Sequence, residues 1–287
     1  MSDVLFDAPG PRGRRRMVWI NIAATLVVAG IGVFVLLRLA EKGQLAASLW
    51  KPFVQASTWT DYLLPGLKGT LEAAALSIVA AGIFGLVFGL GRLSRSRTVR
   101  FVAGLVVEFF RAVPVLLMMI FFYLGLNQLK LVSPQDVPLV AVVAGLTLYN
   151  GSVFAELVRS GVHNLPRGQR EAAYAVGLRR GQSLRAIEVP QALIAMLPAI
   201  ASQLVVILKD TALGYIVTYP ELLDAARRVG AGNGNILQSL VVAALIFIVI
   251  NYALTRLASL LARRLGGRTA GRTSAAAPAL TVDVGRG

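Results

Sequence analysis

The chain has 287 residues, of which 29 are Lys or Arg and 14 are Asp or Glu, so its formal net charge is +15. Only 15% of the residues are charged and 56% are hydrophobic, whereas a soluble domain typically carries about 25% charged residues. This composition excludes a disordered chain and argues against a soluble enzyme.

The residue types also restrict the chemistry. The chain has no cysteine, which excludes a disulfide scaffold and a thiolate metal site. Its single histidine, His163, is too few for a histidine-built metal site or a His-dependent catalytic centre. The basic residues lie between long apolar runs, a pattern typical of membrane topology rather than of nucleic-acid binding. We therefore predict no metal site, no catalytic site and no nucleic-acid partner.

Six apolar segments reach or approach the length of a membrane-spanning helix, which is about 20 residues for a hydrocarbon core of ~30 Å. The third segment is short and is extended upstream by residues 101–110, which carry Glu108. The sequence thus predicts an all-α, polytopic membrane protein with about six transmembrane helices. The segments cover residues 17–37, 70–90, 112–126, 137–154, 191–208 and 236–254.

The distribution of Lys and Arg predicts the orientation, because short positively charged loops stay in the cytoplasm. With the N-terminus inside, 20 of these residues lie on the cytoplasmic side and 8 on the outer side. An even number of spans returns the C-terminus to the same side. We expect a multi-pass protein of the plasma membrane, in contact with lipid, with both termini cytoplasmic.

Three segments lie outside the predicted core. A basic cytoplasmic N-terminus covers residues 1–16. Residues 17–64 hold an extra transmembrane helix and an interfacial segment with Trp and Tyr, which favour the headgroup level of a bilayer. Residues 265–287 are rich in Gly, Ala, Thr and Arg without hydrophobic periodicity, which predicts a disordered cytoplasmic tail.

The connection between the fourth and fifth spans is about 30 residues long and is not of low complexity. Residues 168–178 contain strong helix formers, with Asn164 as the expected cap and Gly177 as the C-terminal break. Ser183 is expected to cap a second short helix, after which Pro190 opens the fifth span. Two short helices joined by a Gly turn form a compact projection that suits the groove of a partner.

This loop, residues 166–190, resembles the EAA loop of the permease subunits of binding-protein-dependent ABC importers. The family pattern is E-A-A, three residues, G, nine residues, I-x-L-P, and Val189 stands where Leu is usual. The resemblance implies that the loop couples the spans to a separate ATPase. The residues that carry this implied role are Glu171, Ala172, Ala173, Gly177, Ile187 and Pro190.

The resemblance extends over roughly residues 65–262 and narrows to the polar amino-acid subfamily. Two departures from the subfamily pattern are Ala112-Val113, where Gly-Thr is usual, and Ala212, where Ser is usual. The extra first span and residues 149–159 look most like a glutamate-uptake permease of the D-subunit type. The segments similar to the subfamily signatures are residues 107–114, 149–159, 168–171 and 209–213.

What the resemblance implies is a transport subunit and not an enzyme. A type I (MetI-like) ABC importer transmembrane domain is expected over residues 65–264. The implied partners are a pair of ABC ATPase subunits, a second, homologous permease in a heterodimer, and an extracytoplasmic amino-acid-binding protein. No G-x-x-x-x-G-K-[ST] motif occurs, so we expect this chain to bind no cofactor, with ATP and Mg used by the ATPase. The implied function is ATP-driven import of a polar amino acid, with L-glutamate favoured.

An ion-gradient-driven secondary amino-acid transporter is the alternative. Such a protein is expected to show carboxylates for the coupling ion near mid-membrane and paired broken helices in two repeated halves, and the sequence shows neither. A membrane-embedded enzyme would need a metal or nucleophile constellation, which the sequence also lacks. Uptake that depends on an ATPase subunit and ATP, and ignores ion gradients, separates these classes.

Charged and polar residues on the spans are the remaining candidates. Glu108 and Arg111 are three residues apart on a helix and are predicted to form a structural ion pair, since an unpaired charge at a membrane boundary is costly. A substrate contact by Arg111 stays open as an alternative. An acidic amino acid needs cationic or donor groups at depth. The candidates for the substrate pathway or its gate are Arg111, Asn150, Lys209, Asp210 and Thr211.

Overall fold

The computed structural model describes residues 10–270. In this part of the chain the regular structure is helical and contains no strand. The α-helices are α1 (Pro11–Glu41), α2 (Leu64–Arg92), α3 (Arg97–Ala112), α4 (Val115–Leu129), α5 (Val137–His163), α6 (Arg167–Ala175), α7 (Arg180–Ser183), α8 (Val189–Ala195), α9 (Leu197–Asp210), α10 (Leu222–Asn233) and α11 (Ile236–Ala270). Short 3-10 helices cover Ala47–Val54 and Thr211–Val217, and π-helical turns cover Thr58–Leu63 and Leu184–Glu188.

Within the described residues, five helical units are long and apolar enough to cross a membrane. They are α1, α2 with the π turn before it, α5, α9 with the 3-10 helix after it, and α11. A sixth span results if α3 and α4 are taken together. The predicted all-α, polytopic fold is confirmed.

The third span is bent by 98° between α3 and α4. Proline restricts the residue before it to extended backbone, and Val113, which precedes Pro114, has φ −84° and ψ 127°. The helical backbone therefore breaks between α3 and α4. Residues 101–110, predicted as an upstream extension of the third span, lie in a separate helix, α3, which meets α4 at this bend.

The close packing of α2 against α5 forms the centre of the bundle, and glycines let the two backbones approach. A Cβ at Gly89 would lie 2.9 Å from the Cβ of Val158, and a Cβ at Gly151 would lie 2.8 Å from the ring of Phe84. The buried apolar cluster around this contact comprises Ala73, Ala81, Met119, Val142, Leu146, Phe154, Ile207, Val217 and Tyr219.

The two ends of the bundle differ. We call the end that holds Arg92, His163 and the loop from α6 to α8 the loop end, and the end that holds the starts of α2 and α5 the opposite end. At the opposite end the predicted interfacial segment forms the 3-10 helix Ala47–Val54 and the π turn that runs into α2. The side chain of Asn235 donates to the carbonyl of Leu49 over 2.7 Å, which fixes this segment to the start of α11.

The two terminal regions are less packed than the bundle. Residues 14–38 of α1 are exposed throughout, and the apolar window of this helix buries nothing against the rest of the chain. At the other terminus α11 continues to Ala270, so residues 265–270 of the predicted tail are helical. The rest of that tail, and residues 1–9 of the predicted basic N-terminus, lie outside the described residues.

Candidate functional site

The loop between α5 and α8 turns sharply at Gly177. The backbone there has φ +82°, a left-handed conformation that costs a residue with a β-carbon roughly 1–2 kcal/mol. The N–H of Gly177 donates to the carbonyl of Tyr174 over 3.0 Å, and the N–H of Leu178 donates to that of Ala173 over 3.1 Å. A β-carbon at Gly177 would meet nothing within 4 Å, so backbone conformation rather than packing requires glycine at the end of α6.

The caps that the sequence predicted for the two loop helices were wrong. Asn164 caps the C-terminus of α5, and Pro166, with ψ 132°, stands directly before α6. Because the backbone of Pro166 is extended rather than helical, Pro166 is the N-cap residue and α6 starts at Arg167. The second helix, α7, begins before Ser183, because the side chain of Gln182 caps it by accepting the N–H of Arg179 over 2.9 Å.

The second half of the loop runs directly into α8, which Met196 joins to α9, the start of the next span. Helical backbone runs from α7 through the π turn Leu184–Glu188 into α8. The N–H of Val189 donates to the carbonyl of Leu184, which is the wide hydrogen bond of a π turn. Pro190 opens α8 in its first turn, where a missing N–H is tolerated. A displacement of this loop segment is therefore passed to α8 without a flexible joint between α7 and α8.

A buried carboxylate, Glu188, joins the two halves of the loop. Its side chain is 3% exposed and accepts the hydroxyl of Ser183 over 2.8 Å. Arg170, on α6, donates to Glu188 from Nε over 3.0 Å and from Nη2 over 2.9 Å. The implied coupling motif gave Glu188 no role. A carboxylate between the apolar Ile187 and Val189 was the available signal, because a buried charge demands a partner.

The residues of the implied coupling motif do not all face outwards. Glu171 and Ala172 are exposed on α6, together with Tyr174 and Val176. Ala173 is only 1% exposed, so its small side chain serves packing within this chain. The exposed surface of α6 therefore combines basic and polar groups at its start with the single carboxylate of Glu171 and small or apolar groups towards its end. Of the other motif residues, Gly177 and Pro190 are exposed and Ile187 is half-buried.

Five charged side chains meet near the loop end, where α2, α3 and α5 pack together. Arg92 Nη2 lies 3.1 Å from Glu108 Oε1, and Arg92 Nη1 lies 2.8 Å from Glu156 Oε2. Arg111 Nη1 lies 3.5 Å from Glu108 Oε2, and Arg159 Nε donates to Glu156 over 3.1 Å. We call these five residues the ion cluster. With three guanidinium groups and two carboxylates, it keeps one positive charge in excess.

The sequence analysis anticipated only one contact of the ion cluster, between Glu108 and Arg111. Arg92 was missed because it comes from α2 and reaches Glu108 across 16 positions of sequence. Glu156 and Arg159 could have been paired from their spacing of three residues, which places them on one helix face. Arg92 has the least exposed side chain of the cluster, at 14%, and it bridges both carboxylates.

A second polar group lies in the middle of the bundle. Asn150, at the midpoint of α5, is fully buried and accepts Gln203 Nε2 at its Oδ1 over 2.6 Å. Its own amide donates to the carbonyl of Leu146 over 3.0 Å. Gln203, on α9, is only half-buried, so this uncharged pair is partly accessible. Sequence reasoning selected Asn150 and missed Gln203.

The structure does not bring the other pathway candidates together with this pair. Lys209 is exposed and Asp210 is half-buried at the end of α9. Thr211 is fully buried, and its hydroxyl donates to the carbonyl of Leu208 over 2.7 Å, which is a helix-end contact. Arg111 belongs to the ion cluster, near the loop end.

The opposite end carries a cavity of about 410 Å³ between α2, α5 and α10. Glu221 is fully buried beside it and caps α10 by accepting the N–H groups of Leu223 and Asp224 at 2.8 and 2.7 Å. Burial raises the pKa of Glu221 to about 7, against the two backbone hydrogen bonds. No three or more His, Asp or Glu side chains of residues 10–270 are grouped so that they could hold a metal ion. The charged lining of the cavity comprises Asp61, Lys68, Glu72, Asp136, Glu221, Asp224 and Arg228.

Comparison with known proteins assigns the fold. Residues 81–267 match the family described as the inner membrane component of binding-protein-dependent transport systems. The chain belongs to this family. The matched region therefore includes the ion cluster, the loop and the Asn150–Gln203 pair. The chain is thus a multi-pass membrane permease subunit and not an enzyme.

Named relatives of this permease are amino-acid transport proteins. It is 48% identical over 227 residues to the glutamate transport system permease protein GluD of Corynebacterium glutamicum, which covers 79% of this chain and 83% of that one. It is 30% identical to the glutamate/aspartate import permease protein GltK of Escherichia coli, over 71% of this chain and 93% of that one.

Solved structures give the same fold. A chain of an amino acid ABC transporter crystallised with histidines superimposes with a TM-score of 0.66 at 27% identity, over 72% of this chain and 95% of that one. A chain of the MetNI methionine ABC transporter superimposes with a TM-score of 0.62 at 18% identity, over 74% and 99%, which supports the MetI-type fold alone.

Proposed function

We propose that this permease is the membrane-spanning subunit of an ATP-driven importer for an acidic amino acid, and that its substrate is L-glutamate. The observation that carries the proposal is the 48% identity to a glutamate permease over 79% of the chain. The ion cluster is consistent with an anionic substrate, since its three arginines outnumber its two glutamates. The implied importer contains a second, homologous permease and an extracytoplasmic binding protein that delivers the amino acid.

The loop is the proposed contact with the ATPase. Its exposed α6 surface places Glu171 beside the small Ala172, and the buried Glu188 holds α6 against the helix that continues into the fifth span. Movement of α6 is thereby tied to movement of α8. ATP and Mg are used by the partner ATPase, and the loop end is cytoplasmic, as are both termini. Closure of the ATPase pair then shifts the equilibrium between two conformations of the permease, because the ATPase contacts the rigid loop differently in each conformation.

The proposed pathway passes the Asn150–Gln203 pair. Transporter binding sites commonly lie near the bilayer midplane, and this pair is at the midpoint of α5. Amide groups can donate hydrogen bonds to a substrate carboxylate without a buried net charge of their own. Lys209, Asp210 and Thr211 contribute to the end of α9 rather than to this contact in our proposal.

The direct test is uptake into proteoliposomes that contain the permease, its homologous partner permease and the ATPase, with the binding protein added. We expect uptake of labelled glutamate that requires ATP, survives ionophores and is reduced by unlabelled glutamate. Aspartate and glutamine are included as further competitors. Competition by arginine alone would contradict the glutamate assignment.

An ion-gradient-driven transporter, the alternative, would need no ATP and would lose its uptake when ionophores collapse the gradient. Uptake by the permease alone, driven by an imposed ion gradient and independent of ATP, would overturn the proposal. As a control, Glu188→Gln combined with Gly177→Asp is expected to abolish ATP-dependent uptake while insertion into the membrane is retained, because both changes fall in the loop.

A further inference from the structure

An open cavity of about 930 Å³ lies at the loop end, between the turn that joins α2 to α3 and the α7 half of the loop. Neither the proposed coupling contact on α6 nor the ion cluster uses it. Its lining combines leucines at the end of α2 and in the loop with four arginines.

The inner wall of this cavity is apolar. Leu93 is buried in a cluster with Val158 and Val189, and Leu90 and Leu184 pack against that cluster. Leu90 and Leu93 lie at the end of α2, which is a membrane span, and Leu184 lies in the π turn that leads into α8. The wall therefore lies where the apolar part of the bundle ends.

The mouth of the cavity is strongly basic. Arg95, Arg179, Arg180 and Arg185 are all exposed, and no acidic residue lines the cavity. Within the described residues none of the four guanidinium groups lies within 4.0 Å of a carboxylate. The nearby Arg92, by contrast, lies within 3.1 Å of both carboxylates of the ion cluster.

We propose that this cavity binds an anionic phospholipid, with the headgroup phosphate among the four arginines and an acyl chain along the half-buried Leu90 and Leu184. Guanidinium groups form strong, often bidentate hydrogen bonds to phosphate oxygens. Basic pockets between transmembrane helices are suited to anionic lipid headgroups. The apolar wall at the end of a span favours a lipid over a free phosphate, because a phosphate ion makes no favourable contact with leucine side chains.

Native mass spectrometry of the full-length chain in a neutral detergent tests the site, with phosphatidylglycerol and phosphatidylcholine as probes. We expect preferential retention of phosphatidylglycerol. The variant Arg179→Gln/Arg180→Gln/Arg185→Gln is expected to bind it roughly 100-fold more weakly, since each basic residue near an anionic lipid surface contributes about fivefold. Its thermal unfolding should match that of the unaltered chain, because the replaced side chains are exposed and have no carboxylate partner in residues 10–270.

A charge-matched control distinguishes a site from general attraction. The variant Arg14→Gln/Arg15→Gln/Arg16→Gln removes the same charge from exposed positions of α1 and is expected to retain phosphatidylglycerol. Equal loss in both variants would overturn the proposal, as would equal retention of phosphatidylcholine. Displacement of the lipid by inorganic phosphate would also overturn it, since a free anion would then be a sufficient occupant. Unchanged lipid retention with lost ATPase assembly in the cavity variant would show a protein-docking groove instead.

Discussion

At Gly177 the φ angle of +82° ends α6, and the space around the α-carbon is open. Gly177→Asp adds the left-handed penalty of roughly 1–2 kcal/mol and places a charge on the exposed end of the loop. We expect normal membrane insertion with loss of ATPase association or of ATP-dependent uptake. The measurements are co-purification of the ATPase and uptake into proteoliposomes.

A matched control for Gly177 is available four residues later. Gly181 also has open space around its α-carbon, but its φ is not positive. Gly181→Asp therefore adds the same charge without the backbone strain and is expected to keep a larger share of uptake. Uptake by Gly177→Asn is expected to lie between that of Gly177→Asp and that of Gly181→Asp, because asparagine tolerates a left-handed backbone. Wild-type uptake in Gly177→Asp would contradict the coupling role of the loop.

At Glu221 the raised pKa, about 7, makes stability depend on pH. The unfolded chain releases this proton near its ordinary value of 4.5, so between pH 4.5 and 7 the folded chain holds more protons than the unfolded chain. The contribution of Glu221 to the free energy of unfolding thus falls as pH rises through this window. Thermal unfolding in detergent should show a shallower decline across it for Glu221→Gln than for the unaltered chain. Parallel profiles for the two proteins would refute the prediction.

Among the elements, α6 is tied to the second half of the loop by the Arg170–Glu188 ion pair. Arg170→Gln leaves the carboxylate of Glu188 buried with the Ser183 hydroxyl as its remaining partner. The cost is expected to be below the about 3 kcal/mol of breaking a fully buried pair, because the Arg170 side chain is half exposed. We expect faster amide hydrogen exchange in α6 together with reduced ATP-dependent uptake, while exchange in α2 and α5 stays unchanged.

The double variant Arg170→Gln/Glu188→Gln tests whether the lost charge pairing is the cause. With both charges removed, no unpaired charge stays buried, so slower exchange in α6 than in Arg170→Gln alone is expected. Arg167→Gln serves as the control, because Arg167 is exposed on the first turn of the same helix. Equal exchange in Arg167→Gln and Arg170→Gln would show that the pair does not hold α6.

For the whole molecule, the sequence predicted the features that are encoded in a short stretch of residues, namely the spans and the helix break at Gly177. The apolar segments are long enough that hydrophobicity alone locates the spans, and the Gly177 break follows from glycine at a helix end. The bend at Pro114 had a local signal that was not used. Arg92 and Gln203 were missed because their partners come from other helices, and single-chain periodicity carries no information on which helices become neighbours.

The helix α1 exposes an apolar surface and does not pack against the rest of the described chain. Residues 14–38 are exposed, while the permease GltK and the chain of the amino acid ABC transporter crystallised with histidines match over 93% and 95% of their own length and over 71% and 72% of this chain. A specific protease site inserted between Lys42 and Gly43 allows α1 to be cut after the full chain has inserted, so orientation is not disturbed. We expect the cut protein to keep its unfolding temperature to within about 2 °C, since removal of an unpacked helix changes the free energy of unfolding by well under 1 kcal/mol. ATP-dependent uptake should persist as well, with the uncut insertion variant as the reference. A large fall in the unfolding temperature would mean that α1 packs on the bundle in the membrane.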